Sequence, residues 1–219
     1  MKEHFIRELL RLQNLIAEQG GRVEQAITQA LEAFNTGDAA LAESVIAADS
    51  VIDAAEIRIE EECLKTLALY QPVASDLRTV AAILKINTAL ERMADFGSHI
   101  AERAQEISRF RDDAAPERLD FSTMSELVLS MLRDALAVLR TADAVLAYRV
   151  IDRDDAVDNI RHNNKMFAVQ AITRFPSAAE YYIACIGLSR DLERIADFAA
   201  DICEHIIYLH TGKIIRHSV

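Results

Sequence analysis

Tryptophan is absent from this 219-residue chain, and only six glycines, three prolines and three cysteines occur in it. So few turn formers argue against a fold of many short strands and tight turns, and leave long helices as the economical architecture. The cysteines, Cys63, Cys185 and Cys203, are odd in number and form no CxxC pair. That speaks against both a disulfide framework and a thiolate zinc knuckle, and the three are expected as small core residues of a protein kept in a reducing compartment. Basic residues are in short supply as well, 24 Lys and Arg against 35 Asp and Glu, for a formal charge of −11. Duplex binding needs a basic footprint, so a general nucleic-acid role is not expected; an acidic surface meets cations or basic protein partners more naturally. No run of about 18 uncharged apolar residues occurs, and residues 1–8 mix charges without an apolar h-region. Neither a membrane-spanning helix nor a secretion signal is expected, and the chain reads as cytoplasmic. The scattered glycines build no GxGxxG, GxxxxGK[ST] or GxSxG motif, which leaves nucleotide hydrolysis and hydride transfer without support.

What the chain does have is apolar periodicity. Half of it (51%) is hydrophobic, ample for burial. Leu9, Leu12, Ile16, Val23, Ile27, Leu31 and Phe34 recur at three- and four-residue steps, one face of an amphipathic helix over residues 5–34. Gly20 and Gly21 interrupt it at about 1 kcal/mol each relative to alanine, which leaves room for a kink or fraying there. Asn35-Thr36-Gly37-Asp38 is a turn ending in a capping Asp; a second helix follows over residues 39–69 and stops at Gln71-Pro72. A third runs over residues 74–110, and polar residues 111–117, with Pro116, read as a linker. The grammar then repeats: a helix over 122–140, a break at Thr141-Ala142-Asp143, a helix to Arg174, Phe175-Pro176, and a last helix to His210. The expectation is an all-α fold of six helices in two tandem three-helix bundle repeats, residues 1–112 and 117–219.

Comparing the chain with itself supports a duplication. Residues 45–53 lie over residues 150–158, with Asp154 against Asp49, at an offset of 105. Leu90-Glu91-Arg92-Met93-Ala94-Asp95-Phe96 lies over Leu192-Glu193-Arg194-Ile195-Ala196-Asp197-Phe198 at an offset of 102. The difference falls around the turn before each third helix, where loops tolerate deletion.

Four acidic pairs stand out in these segments: Asp49/Asp53, Glu91/Asp95, Asp154/Asp158 and Glu193/Asp197. Each is spaced i,i+4, so both carboxylates leave the same helix face, where like charges cost a few tenths of a kcal/mol in an isolated helix. Recurrence of an unfavourable pair at equivalent places asks for a compensating cation. Around its helix, Leu90 marks the apolar stripe and Glu91 and Asp95 flank it at about 100° and 140°. If the second and third helices of each unit are neighbours, Asp49/Asp53 face Glu91/Asp95, and Asp154/Asp158 face Glu193/Asp197, giving two sites of four carboxylates. Oxygen-only ligation suits magnesium, calcium, manganese or ferric iron better than a thiolate-preferring metal. His99 and Asp201 stand one turn beyond, at equivalent positions, as additional candidate ligands. The plain reading is that charged residues on helices are solvated face. Glu56 and Glu60 are set aside on that ground, since Arg161 and Lys165 replace them in the second unit.

The same segments carry a resemblance. Leu90-Glu91-Arg92-Met93-Ala94-Asp95 and Asp191-Leu192-Glu193-Arg194-Ile195-Ala196-Asp197 resemble the LERIGD-type segment that opens the Glu/Asp-xxx-Asp signature of the PhoU family of phosphate-uptake regulators, present once per three-helix repeat. Residues 71–78 (QPVASDLR) are similar to that family's QPxAxDLR segment, and residues 208–217 to its C-terminal tail. The chain departs from the pattern where Ala94 and Ala196 stand for glycine and Phe96 and Phe198 for a frequent histidine, which touches a histidine contribution to metal but leaves the carboxylates in place. The resemblance implies a cytoplasmic negative regulator of phosphate uptake and of the phosphate-starvation response, not an enzyme. It would reach the membrane only indirectly, through contact with the ATPase subunit of the phosphate ABC transporter, and would contact the sensor histidine kinase of the same signal-transduction system. It further implies a homodimer carrying metal on its two acidic faces, with iron, zinc, manganese or magnesium as candidates. Glu91, Asp95, Glu193 and Asp197 are then the first ligands, Asp49, Asp53, Asp154 and Asp158 the facing partners, and Asp201 an addition. A metal-dependent phosphohydrolase or a metal-storage bundle is the alternative from another class; the ExxH half of the di-iron bundle motif is missing.

Overall fold

The computed structural model describes residues 2–108 and 117–212. Within them the chain forms seven α-helices: α1 (Lys2–Thr36), α2 (Ala39–Tyr70), α3 (Ala74–Ser108), α4 (Ser122–Thr141), α5 (Ala144–Ile151), α6 (Asp154–Arg174) and α7 (Ala179–Thr211). No strand occurs among the described residues. Residues 111–116 of the linker, residues 109–110 at the far end of the third helix and residues 213–217 of the C-terminal tail segment lie outside them.

The turns follow from local chemistry. Asp38 caps α2 by accepting from the Leu41 N–H at 3.0 Å, and Asp143 caps α5 by accepting from Val145 and Leu146. At the other ends Gln71 and Ala142 take left-handed conformations (φ +46° and +57°) and donate their N–H groups back to Leu67 and Val138.

The sequence leaves the two glycines of α1 open, and one helix expectation needs correction. Gly20 and Gly21 leave α1 unbroken. A Cβ on Gly20 would stand 2.5 Å from a Leu136 methyl of α4, so this glycine serves a close helix–helix approach. The helix expected from Ala144 to Arg174 is divided at Asp152-Arg153 into α5 and α6. Both residues keep right-handed helical dihedrals, but the Arg153 and Ala156 N–H groups bond three residues back, to Val150 and Arg153, which tightens the chain locally. Arg153 is engaged elsewhere: its guanidinium reaches Ser130 and Asp134 of α4, and its Nε donates to the Arg149 carbonyl. Ala48, its repeat-mate, has no such reach, and α2 runs through.

Helices α1, α2 and α3 pack on one another, as do α4, α5 and α6 with α7. Buried Ile27, Leu90, Met93 and Ile100 lie in the first group, and Met131, Leu132, Tyr182, Leu192 and Ile195 in the second. The two groups share one continuous core, because α3 packs along α7 and α1 touches α4. The rings of Phe96 and Phe198 meet with centroids 6.2 Å apart, and Arg103 Nε donates to Asp191 Oδ2 at 2.7 Å. Arg103 follows Phe96 by seven residues and Asp191 precedes Phe198 by seven, so α3 and α7 run antiparallel. Gly187 opens the path for the Arg103 side chain, whose guanidinium lies 2.5 Å from where a Cβ would be. All three cysteines are free and buried, as expected.

Candidate metal-binding clusters

Buried amides fix α2 against its neighbours at the level of the acidic residues. Gln19 of α1 donates to the Ile52 carbonyl at 2.8 Å, and Asn87 of α3 to the Glu56 carbonyl at 2.9 Å. Asp53 lies between these two ties, so the register of α2 on α1 and α3 is set where its carboxylates stand. In the second unit Asn164 of α6 donates to the Ser189 hydroxyl of α7 at 3.2 Å; Ser189 is the repeat-mate of Asn87.

The first cluster forms between α2 and α3. One carboxylate oxygen each from Asp49, Asp53 and Asp95 lies within 4.8 Å of the others, the one such group of ligand-type side chains among the described residues. Burial raises the Asp49 pKa, and the Asp53 and Asp95 charges raise it further, against the Ser98 hydroxyl and His99. Asp49 Oδ1 is shielded from solvent without a hydrogen-bond partner. Burial likewise raises Glu91, followed by the charge of Asp95 and, more weakly, those of Glu56 and Asp53, while Arg92 opposes. Glu56 therefore belongs to this acidic field. It is half-buried, its own pKa is raised by burial and by Glu60, and Asn87 approaches its Oε1 at 3.4 Å. Glu56, set aside with Glu60 on the comparison of repeats, is thus coupled by charge to Glu91, although its carboxylate is not among the three that converge. Glu60 is exposed.

The second cluster lies between α6 and α7 and brings Asp154 and Asp158 to Glu193 and Asp197. Asp154 is pushed up to about 6, by burial first and then by Asp197, Asp158 and Glu193. Burial also raises Glu193 and Asp197; Asp201 adds to the latter, and Arg194 opposes both. Here guanidinium groups enter the cluster. Arg194 Nη1 donates to Asp197 Oδ2 at 2.8 Å, with its Nε 3.6 Å from Glu193 Oε2. Arg161 Nε lies 3.5 Å from Glu193 Oε1 and 3.8 Å from Asp158 Oδ1.

Carboxylates facing one another across two helices, Asp49, Glu91, Asp154, Glu193 and Asp197 among them with pKa values raised first by burial, are chemically suited to a hard cation, which would take the place of protons. The orphaned Asp49 Oδ1 fits that role in the first cluster.

Two antiparallel-packed units of one plan, the second with its middle helix divided into α5 and α6, each place an acidic cluster on the last helix and the one before it, and define the class of this protein as a duplicated helical-bundle protein. The PhoU domain matches it twice, over residues 16–104 and 121–206, and the chain belongs to the PhoU family. It is 32% identical over 216 residues to "Phosphate-specific transport system accessory protein PhoU homolog 1" of Thermotoga maritima, covering 96% of this chain and 90% of that one. It is 36% identical over 214 residues to the PhoU homolog of Aquifex aeolicus, with 98% and 96% covered. The crystal structure of PhoU from Pseudomonas aeruginosa superposes with a TM-score of 0.91 at 33% identity, over 95% of this chain and all of that one. The phosphate transport system regulatory protein PhoU from Streptococcus pneumoniae superposes with a TM-score of 0.87 at 28% identity, over 96% and 98%. Among the described residues no helix is long and apolar enough to cross a membrane.

Proposed function

We propose that this chain is an accessory protein of phosphate transport, a cytoplasmic negative regulator of phosphate uptake and of the phosphate-starvation response. In this reading it is a homodimeric adaptor between the ATPase subunit of a phosphate ABC transporter and a sensor histidine kinase, and metal held by its two acidic clusters sets its active shape. Family membership supports the regulatory part, since the relatives above are named for an accessory or regulatory role in phosphate transport and not for a catalytic activity. The single observation behind the metal part is the convergence of Asp49, Asp53 and Asp95 within 4.8 Å.

The residues assigned to the first site are Asp49, Asp53, Glu91 and Asp95, with Glu56 beside them; those assigned to the second are Asp154, Asp158, Glu193, Asp197 and Asp201. Iron, zinc, manganese and magnesium are the candidates, oxygen ligation favouring the harder ions. A bound cation would hold α2 to α3 and α6 to α7, and so fix the surface offered to transporter and kinase.

The test is elemental analysis of the purified native protein beside a Glu91/Asp95/Glu193/Asp197 alanine variant, together with pull-down of the transporter ATPase by each. Metal present in the native protein and lost from the variant, with weakened ATPase capture, is the expected result. A native protein that carries no metal after loading sinks the metal part, and failure to capture the ATPase sinks the adaptor part.

A further inference from the structure

The duplication gives two clusters of the same plan, but position-by-position comparison shows that they are not chemically equal. At the offset of 105 residues, Glu56 of the first cluster corresponds to Arg161 of the second. Glu56 adds negative charge to Glu91. Arg161 does the reverse: it occupies the space between α6 and α7, with Nε 3.5 Å from Glu193 and 3.8 Å from Asp158. It thus reaches one carboxylate from each helix, which is what a cation bound there would do.

A second difference concerns Glu193. The residue is buried (8% exposed, 11% over the side chain alone), yet its Oε2 has no hydrogen-bond partner, Arg194 Nε standing off at 3.6 Å, and Arg161 Nε is also buried without one. The two are held by charge across distances longer than a hydrogen bond. Such an arrangement is displaceable: the acid is aimed into the cluster and its present counter-ion is not tightly bound to it. In the first cluster Glu56 stands at this position, no ion pair joins its carboxylates to a guanidinium among the described residues, and three carboxylate oxygens already converge.

From these contacts we infer that Arg161 is a built-in counter-ion that competes with metal at the second cluster, making the two sites of one chain unequal in affinity. This rests on the metal reading given above and adds a regulatory feature to it. Metal fills the first cluster first; the second fills only when the cation displaces the Arg161 guanidinium, so its occupancy follows the metal level over a higher range.

The experiment is manganese(II) titration of the chelator-stripped full-length protein at pH 7, with free ion followed by electron paramagnetic resonance. It uses single-cluster chains: Glu193→Gln/Asp197→Asn leaves the first cluster, and Glu91→Gln/Asp95→Asn leaves the second. The second cluster is expected to bind about tenfold or more weakly than the first, as an opposing full charge at this range implies. Arg161→Gln should raise affinity at the second cluster by about tenfold and leave the first unchanged, whereas Arg161→Lys, which keeps the charge, should not. Circular dichroism of each variant separates a lost fold from a lost site. Equal affinities at the two clusters, or an Arg161→Gln variant that binds as the native chain does, overturn the inference while leaving metal binding standing. Absence of manganese binding at both clusters overturns the metal reading and this inference together.

Discussion

Phe96 and Phe198, which occupy the same position in the two repeats, stack on each other with ring centroids 6.2 Å apart at the seam between α3 and α7. Seven residues away, the seam carries Arg103 against a fully buried Asp191 carboxylate. Removing Arg103 leaves that carboxylate, among the described residues, with Arg190 as its counter-ion, 3.7 Å off and largely in solvent. Arg103→Met is expected to lower unfolding free energy by about 3 kcal/mol, and the double change Arg103→Met/Asp191→Leu to recover much of it. Urea denaturation of the four proteins of the cycle measures both; a double variant no better than the single would show that the pair contributes more than mutual neutralisation.

The adjacent glycines Gly20 and Gly21 should respond in opposite ways to alanine. Nothing stands within 4 Å of a Cβ on Gly21, so helix propensity alone acts, and Gly21→Ala is expected to stabilise by about 0.5–1 kcal/mol. A Cβ on Gly20 meets Leu136 at 2.5 Å, and overpacking costs about 1–3 kcal/mol. Gly20→Ala should therefore melt below Gly21→Ala, as thermal denaturation of the two will show.

Acid should stabilise the metal-free protein over a defined window. The Asp154 pKa is raised in the fold to about 6 from an ordinary 3.8, so the native state holds a proton that the unfolded chain has released. That contribution is fully present below about pH 4 and is lost as pH rises through about 6. Because Asp154 is half exposed, its share is about 1 kcal/mol once solvent screening is allowed for. Chelator-stripped protein is expected to melt higher at pH 5 than at pH 7, with the difference reduced in Asp154→Asn. A melting point that falls on acidification would contradict this.

Metal loading should reverse the sign. A cation bound only by the folded chain adds about 2.7 kcal/mol when present at a hundred times its dissociation constant. Loaded protein should then be more stable at pH 7 than at pH 5, where protons compete for the same oxygens. Glu56→Gln is expected to weaken binding at the first cluster several-fold and Glu60→Gln to leave it unchanged, measured by manganese titration.

Much of this architecture is legible in the sequence, because helix periodicity, capping aspartates and the internal repeat all act over short distances. The α2 start at Ala39, the α6 end at Arg174 and the Thr141–Asp143 break are set by local signals. The two places that local signals do not settle depend on partners far along the chain. Gly20 is decided by Leu136, and the division at Asp152–Arg153 by Ser130 and Asp134. The acidic pairs were visible as i,i+4 spacings, and their convergence follows once α2 is known to pack on α3. The coupling of Glu56 to Glu91 is not legible in the spacing, since it acts across the seam between α2 and α3.

A residue that stacks on its own repeat-mate marks an axis, and the contact at Phe96 and Phe198 is isologous, the geometry by which two identical subunits associate. The fold thus preserves within one chain the interface of a two-fold pair, now covalently joined. Such joining frees each half from having to mirror the other. The repeat-mates of Arg103 and Asp191 are His205 and Ala89, so a buried ion pair that symmetry would have imposed twice is present once. Fusion turned a symmetric surface into one where every position can be tuned on a single side.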